Sequence, residues 1–156
     1  MKAYPAGELL ALSLGLEKDT QKLYKDWAKI FSRLPDAAAF WNDYSEEEAM
    51  HARLLKELRA RLSSDQLARL IECEVVGDTR KLLLLLQEKK IEDLEQAFQY
   101  ANTLEHSEIN PLFLVVVSFF EKDEEAKAML KLMLDEHINK LIDHFPKSFL
   151  TPEPRR

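Results

Sequence analysis

The stretch EEEAMHARLLKEL, residues 46–58, indicates the fold of this chain because it places ligand-type polar side chains on the apolar face of a helix. Around it, apolar residues recur every three or four positions, as they do on one face of an α-helix. Glu48 and His51 lie three residues apart, so their side chains leave the helix on the same side. Trp41 and Leu55 share that face, which predicts that the carboxylate and the imidazole point into the protein interior.

The composition favours an all-helical protein. Hydrophobic residues make up 46% of the 156 residues, and there are only 3 glycines. Leu, Ala, Glu and Lys dominate, and all four favour helix. Segments with an apolar face of helical period predict four long helices, at residues 7–34, 36–62, 91–120 and 123–145.

The connection between the second and third helices predicts the topology. A helix of about 27 residues is roughly 40 Å long, and residues 63–90 are enough to cross that length. We therefore expect an all-α, ferritin-like four-helix bundle with one long crossover between helices two and three. Pro111 implies that the third helix either kinks there or begins again near Asn110. We expect one domain over residues 1–150 and a disordered tail over 151–156.

Charge and cysteine content exclude several classes of protein. The net charge of −6 argues against a nucleic-acid-binding protein, which would show a basic patch. The apolar runs are too short to span a bilayer, so we expect no membrane partner. The lone Cys73 cannot form an internal disulfide and excludes a four-cysteine iron or zinc centre. These features predict a cytoplasmic protein.

Each predicted helix carries a ligand-type side chain at mid-length on its inward face. A buried carboxylate is costly unless it is paired or binds a metal, so a pair of metal ions is the simplest explanation. Carboxylates with imidazoles favour iron or manganese over copper or a thiolate-type zinc site. The candidate metal ligands are Glu17, Glu48, His51, Glu105, Glu108 and His137.

The order of these residues resembles that of the rubrerythrin family of ferritin-like dimetal-carboxylate proteins. LEKDTQKLY, residues 16–24, is similar to the first helix of that family, and residues 46–58 resemble its second helix. LEHSE, residues 104–108, resembles the third helix, where an extra glutamate serves the metal centre. The resemblance implies a non-haem iron protein that reduces peroxide or O₂.

The resemblance also implies roles for the candidate ligands. Glu48 would bridge the two metals, and Glu17 and His51 would hold the first. The second metal would be held by Glu105, Glu108 and His137. Two iron ions are expected, or one if the second site is lost, with manganese or zinc as alternatives. An electron donor would be a separate protein, since a rubredoxin-like domain needs four cysteines, and a homodimer is expected.

One departure from the family pattern leaves the function open. The fourth helix should supply a second Glu-x-x-His motif, but Leu134 stands three residues before His137. An intact mononuclear site, a weak second site and a metal-free site of protonated carboxyls therefore all remain open. So do a structural bundle with a decayed site, an iron-storage cage and a helical interaction module unrelated to metals. The last of these predicts that the three central glutamates face solvent.

Three neighbouring residues carry lesser predictions. Tyr24 and Tyr44 are expected to be core aromatics whose hydroxyls bind buried carboxylates. Glu47 is expected on the surface, and becomes a ligand only if the helix phase is wrong by one residue.

Overall fold

A computed structural model describes residues 2–73, 77–107 and 109–146, with 77–80 described by their backbone alone. The predicted ligand Glu108 and the predicted tail at 151–156 lie outside the described residues. Within the described part, the elements in chain order are β1 (Lys2–Pro5), α1 (Ala6–Ile30), α2 (Pro35–Arg61), α3 (Ser64–Leu67), β2 (Leu70–Cys73), α4 (Gly77–Glu88), α5 (Leu94–Glu105), α6 (Ile109–Phe120) and α7 (Glu124–Asp143).

The predicted four-helix bundle with one long crossover is confirmed. Its arms are α1, α2, the pair α5–α6, and α7. The most extensive packing is between α1 and α2, while α6 contacts α1 and α7. We expected the first helix to run to residue 34, but α1 ends at Ile30 and Pro35 begins α2. A proline suits the first helical position because its missing N–H has no intrahelical partner there.

The third arm is two helices rather than one. α5 ends at Glu105 and α6 begins at Ile109, so of the two alternatives at Pro111 the new start near Asn110 is confirmed. Pro111 occupies the first turn of α6, where backbone N–H groups lack intrahelical acceptors in any case. The break between α5 and α6 therefore costs little free energy. It leaves the last backbone carbonyls of α5 without intrahelical donors.

Within the residues that the structure describes, a small antiparallel sheet departs from the all-helical prediction. β1 pairs with β2 in the register Lys2 with Cys73 and Pro5 with Leu70. Just beyond it, the backbone N–H of Ala6 donates to the carbonyl of Arg69 over 2.7 Å. This sheet fixes the start of α1 to the crossover connection.

An aromatic layer packs next to the polar centre, towards the end of the bundle where α1 is followed by α2. The rings of Tyr24, Trp27, Trp41 and Tyr44 are buried. The ring of Trp41 lies 4.9 Å from that of Trp27 and 5.4 Å from that of Tyr24, measured between centroids.

Among the described residues, no helix has both the length and the apolar composition needed to cross a membrane.

Truncating Trp41 should test whether this layer stabilises the bundle. We expect Trp41→Ala to lower the free energy of unfolding by about 3–5 kcal/mol, because the side chain is buried and leaves a cavity. Met129→Ala is the control, since this side chain is 67% exposed and its loss should change stability by about 0.5 kcal/mol or less. Urea denaturation of the metal-free protein measures both. Equal effects of the two substitutions would contradict the assignment.

Candidate metal centre

Five of the predicted ligands meet inside the bundle. Glu17 comes from the middle of α1, and Glu48 and His51 come from adjacent turns of α2. Glu105 is the last residue of α5, and His137 lies in α7. Each of the five is at most 1% exposed. Three carboxyl groups and two imidazoles thus share one water-excluded space.

Glu48 lies at the middle of this group. Its Oε2 lies 3.4 Å from Nδ1 of His51, and its Oε1 lies 2.7 Å from Nε2 of His137. The other two carboxylates lie to either side, with Oε2 of Glu17 3.4 Å from His51 Nδ1 and Oε2 of Glu105 3.1 Å from His137 Nε2. The carboxylate of Glu48 therefore joins two halves of the centre. The first half adds Glu17 and His51, and the second half adds Glu105 and His137.

Several of these atoms have no hydrogen-bond partner, which bears on whether a metal fits. Among the described residues, Glu48 Oε1, Glu48 Oε2, Glu17 Oε1 and His137 Nε2 are buried and unsatisfied. Glu48 Oε1 and His137 Nε2 are only 2.7 Å apart, yet they are not aligned as donor and acceptor. Buried polar atoms without partners are rare in stable proteins. A cation bound among them would satisfy them, so the donor set fits a metal. Glu48, His51 and His137 each offer one ligand atom within 4.8 Å of the others.

Glu105 accepts three hydrogen bonds, two of which come from Asn110 beyond the break between α5 and α6. The hydroxyl of Tyr24 donates to its Oε1 over 2.5 Å, which confirms the predicted bond to a buried carboxylate. Nδ2 of Asn110 donates to its Oε2 and also to its backbone carbonyl, each over 3.0 Å. That carbonyl is available because α5 ends at this residue.

His137 is fixed by groups that the sequence did not identify. The ring of Tyr44 stacks on its imidazole at 4.3 Å between centroids. The hydroxyl of Tyr44 donates to the backbone carbonyl of His137 over 2.9 Å, so the prediction that it binds a carboxylate is wrong. Nδ1 of His137 lies 3.3 Å from Oε1 of Glu47. Glu47 is thus partly buried against the centre, contrary to the predicted surface position.

Burial and mutual contact shift the pKa values of the cluster. Burial raises the pKa of Glu17 well above its ordinary value, and the nearby charge of Glu48 raises it further. Burial also acts to raise the pKa of Glu48, but the imidazole of His137 holds it well below its ordinary value. Burial acts to lower the pKa of His51, but its contacts with Glu17 and Glu48 raise it to about 10. Without metal, the imidazole of His51 therefore keeps its proton at neutral pH.

The fourth-helix position that departs from the family pattern is filled by apolar packing. Leu134 is buried and belongs to the core cluster. It offers no ligand atom, so the half of the centre near His137 has one carboxylate fewer than the resemblance implies. The burial of Glu17, Glu48 and Glu105 contradicts the alternative of a helical interaction module, which required them to face solvent.

Comparison with known proteins identifies the family and the fold. A family model described as Rubrerythrin matches residues 8–140. The chain belongs to the rubrerythrin family. A crystal structure from Thermotoga maritima, provisionally described as a ferritin-like diiron-carboxylate protein, aligns with a TM-score of 0.68 at 17% identity, covering 95% of this chain and 99% of that one. At that identity the likeness shows the fold alone. A search of curated proteins gives no match.

Family membership and fold confirm the resemblance drawn from the sequence. They support a dimetal-carboxylate protein and, with the cluster around Glu48, a bound metal.

Metal uptake should release protons, because ligands must lose their protons to bind. The proton that His51 holds at neutral pH predicts that apparent Zn²⁺ affinity falls by about tenfold per pH unit for each proton released as the pH is lowered from 7.5 to 6. Calorimetric titration in two buffers with different ionisation enthalpies counts the protons. A binding enthalpy that is independent of the buffer would contradict this protonation pattern.

Proposed function

We propose that the protein binds iron between its four helices, with manganese as the alternative, and uses it to reduce peroxide or O₂. The observation that carries this proposal is the buried Glu48 carboxylate, shared between two imidazoles with oxygens that lack hydrogen-bond partners. A structural carboxylate in such a position would normally be fully hydrogen-bonded. Family membership supports the same function.

The two halves of the centre suggest different strengths of binding. In the first half, Glu17 and His51 would hold one ion, with Glu48 as the bridge. In the second half, Glu105 and His137 would hold the other, and Leu134 leaves that half short of one carboxylate. We therefore expect the first ion to bind more tightly than the second. A redox-active metal bound here would exchange electrons with peroxide or O₂.

The surrounding residues would control water and protons. Tyr24, Tyr44 and Phe113 are buried beside the ligands and exclude bulk water. Burial and the charge of Glu105 raise the pKa of Tyr24 well above its ordinary value, so its hydroxyl keeps its proton. The hydroxyl donates that proton in a hydrogen bond to Oε1 of Glu105, which fixes the orientation of the carboxylate.

An acidic recess lies next to Glu47, and we propose it as the route by which ions reach the centre. Its lining includes Asp36, Asp43, Glu47, Lys140 and Asp143. Glu47 borders this recess and also contacts His137. The excess of carboxylates should raise the local concentration of cations at this entrance.

Replacing Glu48 and His51 together with Ala should abolish metal binding, because it removes the shared carboxylate and one imidazole. Glu46→Ala is the matched control, since Glu46 is exposed on the same helix and its loss should leave the metal content unchanged. Elemental analysis of protein prepared without chelators measures iron and manganese per chain. An unchanged metal stoichiometry in the double variant would show that the site assignment is wrong, provided that circular dichroism shows a folded helical protein.

The buried Leu134 favours a second candidate function, a ferritin-like bundle whose metal site has decayed and which acts as a structural or interaction protein. The two functions differ in metal content. A wild-type protein that carries well below one ion per chain, even after incubation with Fe²⁺ under anaerobic conditions, would favour the second.

Leu134→Glu should restore the missing carboxylate. Because position 134 is buried, the new charge should destabilise the metal-free protein by several kcal/mol. Added metal should recover much of that loss through tighter binding of the second ion. Thermal unfolding with and without Zn²⁺ measures both effects, and Leu134→Gln is the uncharged control. If Zn²⁺ raises the thermal stability of Leu134→Glu no more than that of Leu134→Gln, the proposed second half of the metal site is wrong.

The predicted assembly and partners remain predictions. On α6, Phe113 is buried in the core, whereas Phe119 is exposed and available for the homodimer that we propose. Sedimentation velocity separates a dimer from the many-subunit cage of an iron-storage protein. Because the chain has a single cysteine, we propose a separate electron-donor protein and a cytoplasmic location.

A further inference from the structure

Glu47 bridges the metal centre and the acidic recess through two contacts. Its Oε1 lies 3.3 Å from Nδ1 of His137, and its Oε2 lies 2.6 Å from Nζ of Lys140. Its side chain is 26% exposed, whereas those of the five ligands are at most 1% exposed. Among the described residues of the cluster, it is the carboxylate that contacts a ligand and also borders solvent.

These contacts determine which nitrogen His137 presents to the centre. With Nδ1 directed at Glu47, Nε2 faces Glu48 and Glu105. Stacking on Tyr44 fixes the plane of the ring, since the two planes differ by only 12°. Stacking does not distinguish the two edges of the imidazole, so the contact with Glu47 selects between them. His51, which lies in the same cavity, presents Nδ1 instead.

The position of Glu47 also bears on the missing carboxylate. A carboxylate that accepts a hydrogen bond from the far nitrogen of a ligating imidazole fixes its tautomer and raises its basicity. Nζ of Lys140 lies 2.6 Å from Oε2 of Glu47, and this ion pair favours the charged carboxylate. That carboxylate lies one imidazole away from the half of the centre that lacks a ligand at Leu134.

We propose that Glu47 is a positioning residue that holds His137 with Nε2 towards the metal and supplies, through the imidazole, negative charge that position 134 does not provide. Lys140 holds the carboxylate of Glu47 in place and neutralises part of its charge towards the recess. This inference rests on the proposed metal-binding function.

Two substitutions separate the parts of this role. Glu47→Gln keeps a hydrogen-bond acceptor of the same size and removes the charge, while Glu47→Ala removes both. Asp43→Asn is the matched control, because Asp43 lines the same recess and has no recorded contact with His137. The probe is Zn²⁺, which is diamagnetic, with affinity measured by competition against a chromophoric chelator. Long-range ¹H–¹⁵N correlation spectra identify the protonated and the metal-bound nitrogen of His137.

In the wild-type protein loaded with Zn²⁺, we expect the metal on Nε2 and the proton on Nδ1. Glu47→Ala should weaken Zn²⁺ binding by about 10–100-fold and shift the Nδ1 proton upfield as its hydrogen bond is lost. The Zn²⁺ affinity of Glu47→Gln should lie between those of wild type and Glu47→Ala. The affinity of Asp43→Asn should match that of wild type within about twofold.

Two results would overturn the inference. One is Zn²⁺ affinity that stays within twofold of wild type in Glu47→Ala, and the other is metal on Nδ1 of His137 in the wild-type protein. If Glu47→Ala does not fold, Glu47→Gln decides by the same criteria. A wild-type chain that binds no Zn²⁺ would overturn the proposed function as well, which distinguishes that failure from failure of this inference alone.

Discussion

The burial of the Glu48 carboxylate between two imidazoles is the constraint on which the rest of the structure depends. A carboxylate removed from water is unfavourable unless opposite charges, hydrogen-bond donors or a metal compensate it. His51 and His137 provide that compensation from two different helices. The bundle must therefore bring α2 and α7 together at this depth, and the surrounding packing has to keep water from the oxygens that are left without partners.

The aromatic layer and the broken third arm both meet this requirement. Tyr24, Trp41 and Tyr44 fill the space beside the ligands with large rings, and the two tyrosines use their hydroxyls to hold Glu105 and the α7 backbone. Because α5 ends at Glu105, the backbone carbonyl of this residue has no intrahelical donor. Asn110 donates both to that carbonyl and to the side-chain carboxylate. A continuous helix would satisfy that carbonyl internally, so the break contributes to positioning the ligand.

The centre is asymmetric, and the asymmetry follows from Leu134 and Glu47. The half near Glu17 has the ligand types expected of the rubrerythrin family, while the half near His137 has a leucine where a carboxylate would stand. Glu47 contacts the far side of the same imidazole, so negative charge is present near that half but one ring further from the metal position. Binding strength and redox behaviour should therefore differ between the two halves.

The sequence determined the four helical arms, the inward direction of Glu17, Glu48, His51, Glu105 and His137, and the family. These follow from periodicity, because residues three or four apart share a helix face whatever the helix packs against. The tertiary structure decided the β1–β2 pairing, the hydrogen bonds of Asn110 and Tyr44, and the inward placement of Glu47. The sheet pairing and the hydrogen bonds depend on contacts between separate elements, or on the exact residue at which a helix ends. Glu47 lies on a helix face next to the predicted core, and such a face becomes partly buried only when a neighbouring helix covers it.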